Sequence, residues 1–144
     1  MTEYRGEPDI PNVNICCMPE IQLKQLQSES ETWKRILGYM IEENINLKNK
    51  VTEIVKNGID KNQLEDVEEF QNSFIQEDTL IGLMRNEVAE FDKMILRERV
   101  EDGSVMSDLY KKLTQLRHNI TVSEGHFSKL RTQFNVYLLN NIQG

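Results

Sequence analysis

The chain is poor in cysteine, proline and glycine, and each shortage narrows the class of protein. Its two cysteines are the adjacent Cys16 and Cys17, which lack the C-x-x-C spacing of zinc sites and of thioredoxin-like redox sites. Only 3 prolines and 7 glycines occur in 144 residues, beside 28% charged residues. This composition favours long, solvated helices over a thick globular core.

Long apolar runs and targeting signals are also missing. No stretch approaches the length of about 18 apolar residues that a membrane-spanning helix needs, and the N-terminus lacks the hydrophobic core of a secretory signal. No basic stripe with interleaved aromatic residues exists, so nucleic acid is not an expected ligand. The sequence therefore predicts a cytoplasmic protein that binds neither membranes nor nucleic acid.

Residues for catalysis or metal binding show no convergent spacing. His118 and His126 have no carboxylate placed to join either one in a metal site, and the Glu-x-x-His pattern of di-iron bundles does not occur. Gly-rich phosphate loops and nucleophile elbows are missing as well. We therefore expect no catalytic residue, no metal and no cofactor.

The sequence does contain a heptad repeat that begins at Leu23. Because no proline interrupts the run to Ile54, it predicts one long helix with a coiled-coil seam. Only Ser30 and Asn44 among its a and d positions are polar. These positions are Leu23, Leu26, Ser30, Trp33, Leu37, Met40, Asn44, Leu47, Val51 and Ile54.

Two further stretches carry the same repeat. The seam of the second runs from Val67 to Ile95 with Glu77 as its polar member, and the seam of the third runs from Met106 to Tyr137. Three seams of similar length must cover one another. They predict an all-α fold, an antiparallel up-down-up three-helix coiled-coil bundle over residues 19–144.

Turn residues set the predicted helix boundaries. Gly58 suits a left-handed helix end and Asp60 an N-cap, and Gly103 and Ser104 repeat that arrangement. Pro19 suits the first position of the first helix. The helices are therefore expected at about 19–57, 60–101 and 104–141.

Residues 1–18 are expected to form an irregular N-terminal arm, because Pro8 and Pro11 oppose a helix there. We interpret the arm as a flexible tail. In the alternative, its alternating apolar residues at 13–17 lie extended along a groove between helices. Cys16 and Cys17 are expected to be free thiols, with a redox or intermolecular disulfide role as the alternative.

Charge is distributed unevenly along the chain. The net charge of −7 is the sum of −2 over residues 1–18, zero over residues 19–57, −8 over residues 60–102 and +3 over residues 104–144. We expect the acidic second helix and the basic third helix to lie side by side, with charge helping to select the pairing.

Reflection of the sequence through its first turn predicts contacts. It places Trp33 and Leu37 beside Met84 and Ile81, and Asn44 near Phe74 and Phe70. A polar seam residue such as Asn44 fixes helix register at some cost in stability. Together with Glu77, Asn44 is also a candidate for a wet or breathing layer.

Three glycines, Gly38, Gly82 and Gly125, fall at nearly one height on the outer faces of the three helices. Each costs about 1 kcal/mol relative to alanine within a helix. We interpret this waist as a flexible point or a place where a partner's backbone comes close. The alternative is coincidence, since seven glycines in such a chain sometimes align.

Some apolar residues lie off the seams and are candidates for docking a partner. Tyr39 and Leu83 lie at the glycine height, and Leu139 and Ile142 lie at the far tip of the bundle. The alternative is that they are isolated surface hydrophobic residues, which are common.

The leading functional hypothesis is a non-catalytic protein–protein interaction module, serving as a spacer, an adaptor or a self-associating scaffold. Its partner is another protein or a second copy of the chain. The alternative is a small regulator or sensor whose arm or polar core layer controls partner access.

Overall fold

The computed structural model describes residues 19–101 and 106–142. They form three helices, α1 (Pro19–Asn57), α2 (Lys61–Glu101) and α3 (Met106–Asn141). These helices pack as the predicted up-down-up bundle, and α2 lies closely against both neighbours. The predicted limits of α1 are confirmed, and α2 begins one residue later than predicted. The arm, with Cys16 and Cys17, and the second turn lie outside the described residues.

The heptad seams form the core. All ten predicted seam positions of α1 are buried, including the polar Ser30 and Asn44. Four aromatic residues of α2 and α3 pack together near the α1–α2 turn, Phe70, Phe74, Phe134 and Tyr137. There the rings of Phe74 and Phe134 meet edge to face with centroids 5.1 Å apart. Within the described ranges, no helix is long and apolar enough to cross a membrane.

The first turn has the predicted capping residues, Gly58 at the end of α1 and Asp60 before α2. Gly58 has a φ of +91°, and its N–H donates to the carbonyl of Val55 at 3.1 Å. The Asp60 carboxylate accepts from the Gln63 N–H at 2.8 Å, while the Gln63 side chain accepts from the Asp60 N–H at 3.2 Å. This reciprocal capping box explains why α2 begins so soon after α1 ends.

The register between α1 and α2 differs from simple reflection. Reflection through Gly58 places Asn86 opposite Ser30, whereas the Ser30 hydroxyl donates to Asp92, six residues farther along, at 2.5 Å. Side chains lean toward the N-terminus of their own helix. In an antiparallel pair, contacting residues therefore carry higher numbers than reflection of the backbone gives.

Trp33 shows the effect of this shift. Its side chain is buried, as expected. Its ring lies against Phe91, with centroids 5.3 Å apart, and Phe91 is seven residues beyond Met84, the partner that reflection suggested. Asn44 does contact Phe74, as predicted, by donating to its carbonyl at 2.8 Å.

Ion pairs join every pair of helices rather than α2 and α3 alone. Lys112 on α3 pairs with Glu87 on α2, which fits the predicted match of basic and acidic helices. The near-neutral α1 takes part as well. The pairs that link it to α2 or α3 are Lys34–Asp92, Lys48–Asp78, Arg117–Glu29 and Arg131–Glu43.

Candidate interaction surfaces and a buried polar layer

A polar layer crosses the bundle at Asn44. The Asn44 Nδ2 donates to the Phe74 carbonyl at 2.8 Å and to Asp78 Oδ1 at 2.7 Å. Lys48, one turn later on α1, pairs with the second oxygen of Asp78. The amide of Asn44 is thus held on the α2 side, and this arrangement ties the two helices to one register.

The same layer contains a buried carboxylate. Glu77 is 1% exposed, and its Oε2 lies 2.7 Å from Nδ1 of His126 on α3. The His126 side chain is 63% exposed, so one face of this pair reaches water. Glu77 and Asp78 are adjacent, and the polar layer therefore spans all three helices.

One acceptor in this layer has no partner. Asn44 Oδ1 is buried and makes no hydrogen bond with any described residue, and the same holds for Gln71 Oε1. A buried carbonyl oxygen without a donor costs about 1–3 kcal/mol. The predicted polar layer is therefore present, and it is incompletely satisfied by described residues.

The tip near the first turn is tied across helices. Gln63 Nε2 donates to the Asn141 carbonyl at 2.7 Å, and the Tyr137 hydroxyl donates to Asp66 Oδ2 at 3.1 Å. Burial and then the hydrogen bond to Asp66 raise the pKa of Tyr137 to about 12. These contacts hold the end of α3 against the start of α2.

The two candidate docking residues at this tip have different surroundings. Leu139 is 64% exposed. Ile142 is partly buried against the core and lines a shallow recess with Ile59 and Leu138. Leu139 is therefore available at the surface, whereas Ile142 helps to cover the end of the bundle.

Tyr39 and Leu83 also face different neighbours, although both are 53% exposed. The Tyr39 hydroxyl accepts a hydrogen bond at 3.0 Å from Arg131 on α3. Leu83 lies on α2 beside a recess that includes Gly82, Arg85 and other residues of α2. The two side chains share a height in the bundle without forming one continuous patch.

The three glycines of the waist have no packing requirement. A Cβ built on Gly38, Gly82 or Gly125 meets no atom within 4 Å. The close approach that usually explains a glycine inside a helix is thus lacking within the described chain.

Alanine at any of these three positions is expected to raise the free energy of unfolding by about 1 kcal/mol, because alanine favours the helix over glycine by that amount. Chemical denaturation followed by circular dichroism measures the change. Gly58→Ala is the matched control, and it should instead destabilise the fold by about 1–2 kcal/mol through its left-handed backbone. Loss of stability at the three helical positions would show that an unseen contact requires glycine there.

A groove between α1 and α2 passes Gly38. We call it the α1–α2 groove and define it by two adjoining recesses of about 460 and 620 Å³, lined by residues 24–42 of α1 and 85–96 of α2. Lys34 and Asp92 border both recesses, and their side chains pair at 2.7 Å. The hydrogen bond to Asp92 raises the pKa of the Lys34 ammonium.

The floor of the larger recess, beside Gly38, is apolar and its residues are small or branched, whereas the smaller recess is lined by polar and charged side chains apart from Leu96. Leu37, Ile41 and Val88 form part of the lining, together with Gly38 and Ala89. Sequence reasoning identified Gly38 but missed the groove. The signal that could have located it is the occurrence of Gly38 and Ala89 on the facing borders of two helices.

Among the described residues, no group of three or more histidine, cysteine or acidic side chains is placed to hold a metal ion. His126 has Glu77 as its partner, and the exposed His118 lies about two turns earlier on α3. No protein-family model, curated protein or solved structure matches the chain.

Proposed function

We propose that this protein is a non-catalytic helical interaction module that binds another protein through the α1–α2 groove. The observation that supports this proposal is the recess beside Gly38, which has an apolar floor and charged borders and which no described residue fills. The core does not need this surface, because the seams of the three helices already cover one another.

The partner chemistry that fits the groove is an amphipathic helix. Residues 24–42 of α1 border the groove, which at 1.5 Å per residue gives a length of about 27 Å, or five helical turns. Gly38 and Ala89 allow a partner backbone to approach closely, and an apolar side chain of the partner meets the partly buried Ile41. Leu37 and Val88 lie beneath this surface, each 1% exposed. The partner would act as a fourth helix of the bundle.

A photo-crosslinking residue placed at Gly38 or at Gly125 tests this proposal in the full chain. Both positions accept a side chain without a clash, and the second lies on α3, away from the groove. We expect one defined protein to be crosslinked from position 38 and not from position 125. Equal labelling from both positions would contradict the proposal.

The contribution of the surface residues is measured with the protein identified in that way. Leu83→Ala should weaken its binding, because Leu83 lies beside a recess that shares Arg85 and Ala89 with the groove. Tyr39→Ala removes a residue on the α3 side and is the matched control. Light scattering after size exclusion separates this mode from self-association, which would appear as a dimer of the purified chain.

A second candidate is a regulator whose polar layer controls partner access. The unpaired Asn44 Oδ1 supports this second candidate. A buried oxygen without a donor lowers the stability of the α1–α2 packing in which it occurs. Asn44→Leu removes the unpaired oxygen. If the layer controls access, this variant changes partner affinity, whereas a plain docking module binds as before.

A further inference from the structure

The outer face of α2 differs in charge from the rest of this acidic helix. Residues 60–102 carry a net charge of −8, yet one row of positions on the side away from the core contains no carboxylate between residues 75 and 100. Lys93 is the only charged member of this row. Its residues follow one another at alternating steps of four and three, and we call them the α2 outer row: Ile75, Thr79, Gly82, Asn86, Ala89, Lys93, Leu96 and Val100.

The large apolar members of the α2 outer row are open to solvent in the described part of the chain. Ile75 is 48% exposed, Leu96 57% and Val100 85%. The smaller residues at positions 79–89 of the row line a shallow recess between these ends. Steps of four and three give the average spacing of a coiled-coil seam. A second helix can therefore pack along the row over its length of about 38 Å.

A neighbouring row of α2 carries charges of alternating sign. Its members are seven residues apart and are Asp78, Arg85, Asp92 and Arg99. When a second copy of α2 lies antiparallel on the outer row, Arg85 of one copy meets Asp92 of the other. The same alignment sets Asp78 against Arg99, so every charge in this row faces one of opposite sign.

The antiparallel alignment also suits the α2 outer row itself. It sets Val100 of one copy on Ile75 of the other, so the apolar ends cover each other. Lys93 then faces Gly82 of the other copy, where the lack of a side chain leaves room for its long stem. A parallel alignment would instead place Lys93 against Lys93 in the seam, with like charges together. The row therefore favours antiparallel pairing.

The charged groups that border the row are available for such contacts. Arg85 makes no hydrogen bond or ion pair with any described residue. Asp78 and Asp92 each pair with a lysine of α1, and their side chains remain 42% and 33% exposed. Each carboxylate oxygen has more than one lone pair, so these two residues can also accept from an arginine that arrives from outside.

We propose that two copies of this chain associate through the α2 outer row, with their α2 helices antiparallel, to form a two-fold symmetric dimer. Apolar contacts at the two ends of the row stabilise it, and the bordering charges select the alignment. The row lies on the outer side of α2 and shares only its border, at Arg85 and Ala89, with the α1–α2 groove. The proposal therefore goes beyond the proposed function, and light scattering shows a dimer whether or not the groove binds another protein.

Cysteine crosslinking tests the pairing and its direction in the full chain. Cys16 and Cys17 are replaced by serine, and Thr79→Cys and Leu96→Cys are made as separate variants. The antiparallel dimer brings position 79 of one copy to position 96 of the other, whereas equal positions are about 25 Å apart along the helix axis. Under mild oxidation, we expect an equal mixture of the variants to form the mixed disulfide dimer at least tenfold faster than either variant forms a dimer alone.

Reversal of one bordering charge provides a second measurement. Arg85→Glu sets a carboxylate against Asp92 of the other copy, so we expect the dissociation constant of the dimer to rise at least tenfold. Lys129→Glu is the matched control, because it makes the same change in net charge at an exposed position of α3. Sedimentation equilibrium measures both constants, and circular dichroism checks that the two variants keep their helix content.

Each other outcome overturns the proposal. A purified chain that stays monomeric, or the same loss of dimer in the two charge variants, means that the α2 outer row is not the interface. Disulfide formation that is as fast in a single variant as in the mixture means that the helices do not pair antiparallel. Because no other protein is present, these results are independent of the crosslinking from position 38 that tests the proposed function.

Discussion

Trp33→Ala is expected to lower the free energy of unfolding by about 3–5 kcal/mol, the usual cost of removing a large buried aromatic side chain. Trp33 is 5% exposed, and its ring packs on Phe91 across the α1–α2 interface. Such a loss is a large fraction of the 5–15 kcal/mol that typically stabilises a domain. Chemical denaturation followed by circular dichroism at 222 nm measures it.

Tyr39→Ala is the control for this change, because Tyr39 is an aromatic residue of the same helix with an exposed side chain. It is expected to shift the free energy of unfolding by no more than about 0.5 kcal/mol, as surface substitutions usually do. Similar losses in the two variants would contradict the burial of Trp33. A shared loss would also cast doubt on the α1–α2 register.

His126→Ala is expected to lower the free energy of unfolding by about 1–3 kcal/mol, because it leaves a buried acceptor without its partner. The acceptor is Glu77, whose carboxylate lies in the seam of α2 and meets His126 at 2.7 Å. Replacing a buried polar pair by apolar groups is often neutral or stabilising. Adding Glu77→Leu to the same chain should therefore recover the loss.

The second histidine supplies the control for this cycle. His118 is exposed on the same helix, and His118→Ala should leave the free energy of unfolding within about 0.5 kcal/mol. Thermal denaturation of the unchanged chain, His126→Ala, Glu77→Leu and the double variant gives the coupling between Glu77 and His126. If adding Glu77→Leu does not restore the free energy of unfolding, the loss in His126→Ala has a cause other than the buried, unpaired Glu77 carboxylate.

The fold was predictable because three of its determinants are local. The heptad spacing placed all ten seam residues of α1 inside the core, and Gly58 and Asp60 located the first turn to within a residue. Chain direction then followed from the shortness of that turn, since a connection of three residues leaves two helices no choice but to lie antiparallel.

The contacts between helices were less predictable, because they depend on side-chain direction. The stacking of Trp33 on Phe91 requires knowing how far each side chain leans along its own helix. The bond between Glu77 and His126 depends on the rotation of two helices about their axes. A heptad assigns a residue to the inner or outer face, but it does not say which neighbour that residue meets.

The sequence predicted where the candidate surface residues lie along the bundle axis, but not which neighbouring helix each one faces. Tyr39 and Leu83 do lie near the waist, yet one bonds to α3 and the other borders a recess on α2. The α1–α2 groove was missed because it arises from small residues on two helices at once. No single stretch of sequence contains that information.

An odd number of antiparallel helices has a mechanical consequence. Pro19 and Asn141 lie at opposite ends of the bundle, separated by the 39 residues of α1, or about 58 Å at 1.5 Å per residue. Tension applied between these two points would pull α1 and α3 past α2 along their length, so the cross-helix bonds of Asn44, Arg117 and Tyr137 would resist together. Under tension the helices would thus slide past one another with many contacts loaded at once, rather than separate one contact at a time.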